Sequence, residues 1–273
     1  MFHQRLLQRY MLGERALQVL NDDGLYFRRV DGYPEDPTEG DREYFGSKEE
    51  LILESLNSRF SDDTRMTPEE AKQLCQDTMH RDKQSVFIQS WFWHKQMSRF
   101  MWESYGKFSD NPNCALFIVD LFKIGNYLDR VLPVGYRFET VKYVQDKQRQ
   151  REAFFTKHIE FEPEREYRIS INAGELISFN KKILPGFEWP PRHMEVYCED
   201  DLAENYRNRG VANEDLFKYV DEFGFILKTP LIELLEAVYI PTSASAEFCN
   251  QLNDLLASKG YAFKCQRVEL PSE

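Results

Sequence analysis

KHIEFEPEREYRISI, Lys157 to Ile171, decides how the rest of this chain is read. After Pro163 the residues alternate, with Glu164, Glu166, Arg168 and Ser170 on one parity and Arg165, Tyr167 and Ile169 on the other. Period two predicts a strand that carries both carboxylates and the guanidinium on a single face. Two carboxylates so close repel each other, so one should hold its proton more tightly unless a cation such as Arg168 compensates. That is how a catalytic site is often built. It is also how an ion-paired strand on a wet sheet face looks.

Working outward, SVFIQSWFW (Ser85 to Trp93) and CALFIVDLF (Cys114 to Phe122) are short continuous apolar runs of strand length, to be buried on both faces. VGYRFETVKYV (Val134 to Val144) alternates as a two-faced strand, and GLYFRRV (Gly24 to Val30) is an aromatic strand candidate. Thr67-Pro68-Glu69-Glu70 is a helix start: a capping Thr, Pro at the first helical position and Glu three residues after the cap. Residues 2–20 place Leu6, Leu7, Tyr10, Met11, Leu17 and Leu20 on a helical stripe. Residues 147–160, with Lys157 and His158, read as helical, as does a pair of segments around Asp200 to Lys218. A strand, a helix and a strand are expected over 234–270, and a helical insertion over 47–84. No repeat or linker divides the chain, so residues 1–273 are expected to form one α+β domain, a central, largely antiparallel sheet with helical insertions.

Hydrophobic residues make up 42% and aromatics 14% of the 273 residues, enough for a packed core. The formal charge of −11 argues against broad binding to a nucleic-acid backbone or an anionic membrane; Gln145 to Arg151 is the one short basic run. Five cysteines, odd in number and without CxxC, fit a reducing, cytoplasmic compartment. Arg and Glu interrupt the apolar N-terminal stretch as they would not in a signal peptide, and no segment reaches transmembrane length. GxGxxG, the P-loop, GxSxG and HExxH are all absent. The five histidines share no ligand spacing, so no metal is expected.

Three features remain. Arg28 and Arg29 are neighbours on one strand, so a half-buried strand turns one of them inward, where a guanidinium requires an anion; at an edge both reach water. Ser90 precedes an aromatic series in which Trp102 and Tyr105 offer a stacking platform for a planar base, or else simply core. The third is Glu164 and Glu166 with Arg168.

Tyr26 to Arg29, Met101-Trp102-Glu103-Ser104-Tyr105, and Lys157 with Glu164, Glu166 and Arg168 together resemble, in that order, the motifs of domain-of-unknown-function family 2971, a bacterial and phage group. That resemblance spans about Leu25 to Leu270 and implies no activity. An early strand Arg, a Ser on a middle strand and a late Glu-x-Glu also resemble the Arg-Ser-Glu pattern of ADP-ribosyltransferases, although no Ser-Thr-Ser occurs. That likeness implies NAD as substrate, with Arg28 or Arg29 on the pyrophosphate and Ser90 ordering the site. Glu166 would bond the nicotinamide ribose, and Glu164 would orient an acceptor. The expectation is an NAD-using transferase or glycohydrolase, of microbial defence or toxin type, acting on an unknown acceptor. The alternative is a non-enzymatic sensor or protein-interaction module in which Glu-x-Glu-x-Arg is structural.

Overall fold

A computed structural model describes residues 5–33, 39–40, 67–132, 135–145, 153–173, 216–221 and 223–271. Its centre is β4 (Cys114–Asp120), in which all seven residues are buried. Period two explains this. Ala115, Phe117 and Val119 enter the main core, while Cys114, Leu116 and Ile118 enter a second core on the other face. β1 (Leu6–Leu12) pairs antiparallel along the whole of β4, and β11 (Leu235–Pro241) takes its other edge. β12 (Gln266–Val268) extends that side in parallel. The sheet continues through β3 (Val86–Phe92) to β2 (Gly24–Arg29), β10 (Gly224–Lys228) and β9 (Phe217–Asp221). The fold is α+β, with a mostly antiparallel sheet.

The pairing of β3 opens a cleft. β8 (Glu166–Asn172) runs antiparallel along all of β3, in the register Ser90↔Arg168 and Phe92↔Glu166, and β5 (Tyr136–Thr140) flanks β8. On its remaining edge β3 is shared. β1 meets it at Phe92, and β2 meets it at Phe87 and Ile88. Gln89, Ser90 and Trp91 lie between those two contacts, where β1 and β2 part, and all three line a cavity.

Helices α1 (Gly13–Asp22), α4 (Leu121–Val131), α5 (Leu231–Leu234) and α6 (Ala246–Ser258) contribute to the main core. α3 (Arg99–Ser104) adds Met101 and Trp102 to the second. α2 (Pro68–Ser85) begins at the foreseen capping box: Glu70 N–H donates to Thr67 Oγ1 at 3.2 Å, and Thr67 N–H donates to Glu70 Oε2 at 2.8 Å. Thr67→Ala should therefore cost about 1 kcal/mol, read as a Tm drop of about 2–4 °C.

Several expectations are corrected. Of the N-terminal helix expected over 2–20, residues 2–4 lie outside the described residues and the rest form a strand followed by a helix. Leu6, Leu7, Tyr10 and Met11 fit a helical stripe and no simple strand alternation, but the long ladder to β4 overrides that local signal and makes the strand. The helix begins only at Gly13, where a Cβ would stand 2.6 Å from the Asn113 carbonyl oxygen. Within 147–160, the described residues form a 3-10 turn (Ala153–Phe155) and then β7 (Thr156–His158), which pairs in parallel with β6 (Lys142–Val144). Lys157 is thus on a strand, held by that backbone pairing. Of the helices expected around Asp200 to Lys218, residues up to 215 lie outside the described residues, and Lys218 sits on β9. In the 47–84 insertion, residues 47–66 lie outside them as well.

Candidate functional site

β8 alternates as its sequence requires. Tyr167, Ile169 and Ile171 face the main core, leaving Glu166, Arg168 and Ser170 on the opposite side. That side is dry, because the segments carrying Glu39, Phe154 and Lys157 cover it: Glu166 is 5% exposed and Arg168 1%. The Arg168 guanidinium uses four of its five N–H groups. It donates from Nη1 and Nη2 to the two Glu39 oxygens at 2.8 and 2.9 Å, from Nε to Glu166 Oε2 at 2.6 Å, and from Nη1 to the Phe154 carbonyl at 2.7 Å. Lys157 Nζ bridges the other two carboxylates, donating to Glu164 Oε2 and Glu166 Oε1, each at 2.6 Å. Ser90 Oγ donates to Glu166 Oε2 at 2.7 Å, and Tyr105 Oη to Glu164 Oε1 at 2.6 Å.

Glu164 itself is not on the strand. It ends a 3-10 turn (Ile159–Glu164), and Arg165 follows with φ 41° and ψ 52°. This left-handed conformation, costing a non-glycine residue about 1 kcal/mol, tucks Glu164 beside Glu166 although the strand alternation begins only after it.

Three buried carboxylates (Glu39, Glu164, Glu166) face two buried cations (Lys157, Arg168), so one negative charge lacks a counter-ion. Burial favours the neutral form of both neighbouring glutamates, and their partners decide between them. Burial, then the hydrogen bond and charge of Glu166, push Glu164 up to about 7. Burial acts the same way on Glu166, but Arg168 and Lys157 outweigh it and hold that carboxyl well below its ordinary value. The pair titrates as a unit: its upper step, on Glu164, falls near neutrality, so at about pH 7 protonated and ionised Glu164 are both populated.

The network forms one wall of a cavity of about 810 Å³, within the range of small-molecule sites. Ser90, Tyr105, Lys157, Glu164, Glu166 and Arg168 all line it, and so does Arg28. Of the two neighbouring arginines it is therefore Arg28 that faces the cleft. Arg29 instead donates to Asp31 Oδ1 at 2.5 Å and lies over the Phe223 ring at 5.1 Å. Arg28 as a whole is half-buried, but its Nε is enclosed and has no hydrogen-bond partner among the described residues.

Trp102 is a correction. It is wholly buried, edge-on to Tyr10 at a centroid distance of 5.1 Å, and offers no face to a ligand. Tyr105, three residues on, does reach the cleft, because α3 ends at Ser104.

Sequence reasoning missed Glu39, Arg9 and Gln89. Glu39 looked like one acid among many in a proline- and glycine-rich loop. Arg9 was hidden by reading its segment as a helix, although as part of a strand it shares parity with the buried Leu7 and Met11. Gln89, inside an otherwise apolar strand, was the available signal for a polar group at depth.

Among the described residues no cluster of three or more His, Cys, Asp or Glu side chains is placed to hold a metal ion, and no helix is long and apolar enough to cross a membrane. Compared with family models, with curated proteins and with solved structures, the chain matches none.

Proposed function

We propose that the cleft binds NAD and cleaves its nicotinamide–ribose bond, passing the ADP-ribosyl group to an acceptor or to water. One observation carries this reading: Arg28, Ser90, Glu164 and Glu166, from three separate parts of the sequence, line one cavity of ligand size. In the reaction the bond between ribose C1′ and the nicotinamide ring nitrogen breaks. Its electron pair leaves on nicotinamide, and C1′ takes on oxocarbenium character. A negative wall stabilises that developing positive charge. Glu166, ionised and held rigid by Lys157, Arg168 and Ser90, supplies this wall. Glu164, poised near neutral pH, is suited to accept the proton of the attacking hydroxyl or water, which then bonds to C1′. Arg28 is left to hold the pyrophosphate.

A second reading is a binding module without turnover, acting on a protein partner. It is favoured by the saturation of Glu166, both of whose oxygens already accept from cations. Calorimetry with NAD and an assay of released nicotinamide separate the two. The enzyme reading expects micromolar binding, with Glu166→Gln lowering release by a factor of about 10²–10³ while circular dichroism shows a retained fold. Absence of both heat and release from the wild-type chain would leave the binding module.

A further inference from the structure

Arg9 (β1), Arg15 (α1), Arg28 (β2) and Gln89 (β3) meet in the cleft at the gap where β1 and β2 part. Each guanidinium lies over an aromatic ring: Arg9 over Trp91 at 5.6 Å, Arg15 over Tyr26 at 4.6 Å and Arg28 over Tyr33 at 5.2 Å. Such stacking fixes the plane of the fork and leaves its N–H groups at the edge to donate; Arg15 already uses one of them, from Nη1 to Gln18 Oε1 at 2.7 Å. The Tyr26 ring is itself held in place, as it packs where a Cβ on Gly224 would stand 2.3 Å from its hydroxyl.

This end of the cleft has donors and too few acceptors. Arg28 Nε and Gln89 Nε2 are both buried and without a hydrogen-bond partner among the described residues. The orientation of the Gln89 amide is set by Trp91, whose indole N–H can only donate and takes Oε1 at 3.1 Å, leaving Nε2 as a spare donor. Neither Arg9 nor Arg28 has a carboxylate in ion-pair range among the described residues. The acids that line the cavity nearby are engaged elsewhere: Glu39 takes both of its bonds from Arg168, and exposed Asp221 accepts from the Phe223 N–H. Burial, and then the like charge of Arg15, bring Arg9 down to about 10. Arg9, Arg15 and Arg28 are each half-buried, and three like charges sharing one cleft repel unless an anion completes the set.

We infer that Arg9, Arg15, Arg28 and Gln89 form an oxyanion subsite whose ligand is the diphosphate group of a nucleotide. Three guanidinium forks and an amide N–H offer more donors than the roughly four acceptor positions of one carboxylate, and a diphosphate supplies the excess. The inference rests on the cleft being the ligand site, as proposed above, but not on bond cleavage there.

The test is calorimetric titration of the full chain with inorganic pyrophosphate and with ADP-ribose. The expected result is one site per chain for each, with ADP-ribose displaced by pyrophosphate. Arg9→Gln and Arg28→Gln should each weaken both ligands by about 10- to 100-fold, and Arg15→Gln by several-fold, as loss of charge-assisted bonds requires. Affinity should also fall as salt rises. Should Arg9→Gln fail to fold, Arg15→Gln, on the half-buried face of α1, carries the comparison. Absence of saturable pyrophosphate and ADP-ribose binding, or unchanged affinity across the variants, overturns the subsite. Pyrophosphate binding without nicotinamide release upholds the subsite and removes the NAD reading. Nicotinamide release with KM for NAD unchanged in Arg9→Gln and Arg15→Gln keeps the NAD reading and removes the subsite.

Discussion

Arg168→Met should destabilise the protein by about 3–5 kcal/mol, because it leaves buried carboxylates without their counter-charge. The side chain is 1% exposed and makes four hydrogen bonds, three of them to carboxylate oxygens. Methionine fills much of the same volume, so the loss reads the charge and the fork rather than a cavity. Arg168→Lys restores the charge without the two-pronged geometry that grips both Glu39 oxygens, and should recover only part of the loss. Urea denaturation monitored by circular dichroism gives the values. A cycle adding Glu39→Gln isolates the pair: its coupling should reach about 1.5–3 kcal/mol, the scale of hydrogen bonds to charged groups. Additive single losses would mean that Arg168 acts chiefly through Glu166.

Glu164→Gln should change the pH dependence of stability rather than simply its level. The carboxyl sits at about 7 in the fold against an ordinary value of 4.5, so the folded state binds the proton more tightly than the unfolded chain. Its contribution to stability therefore declines as pH rises from 4.5 to 7 and is constant on either side, a change of about 3 kcal/mol across the window. Glu166 acts in the opposite sense. Its depressed value adds stability that is complete above 4.5 and is lost as pH falls through its folded value. The variant keeps the Glu166 contribution and removes the Glu164 penalty. Glutamine reproduces the protonated acid, with Oε1 accepting from Lys157 and Nε2 donating to the Tyr105 oxygen. Stability of the variant relative to wild type, from urea titrations at steps between pH 4.5 and 8, should rise by about 3 kcal/mol. A flat difference would show that Lys157 alone balances Glu164. The same substitution should slow nicotinamide release in the proposed reaction, since the amide cannot accept a proton.

Much of the sheet was legible because its signals are local. The continuous apolar run of CALFIVD marks a strand buried on both faces, the alternation of EYRISIN assigns its side chains to two faces, and Thr67 with Glu70 closes its own cap from within four residues. The N-terminal segment was not legible, since the local spacing of LLQRYML is helical and only the distant ladder to β4 makes it a strand. The same limit hid Arg9, and with it one side of the cleft.

The sequence by itself determined that Glu166 and Arg168 share a face of β8 and that Ser90 lies on a buried strand; whether one of two adjacent arginines turns inward it left open. Tertiary structure decided the rest. That face is dry because Glu39 and Lys157, remote or differently read in sequence, close over it. Arg28 is the inward arginine because β2 meets β3 only at Phe87 and Ile88, opening the gap beside it. Cys249 and Cys265, scattered in the chain, come to rest as free thiols with their sulfurs 3.5 Å apart. The physical reason is common to all three. Periodicity and capping depend on bonds among near neighbours, whereas burial, charge balance and cavity shape depend on which distant segments the packed core brings together.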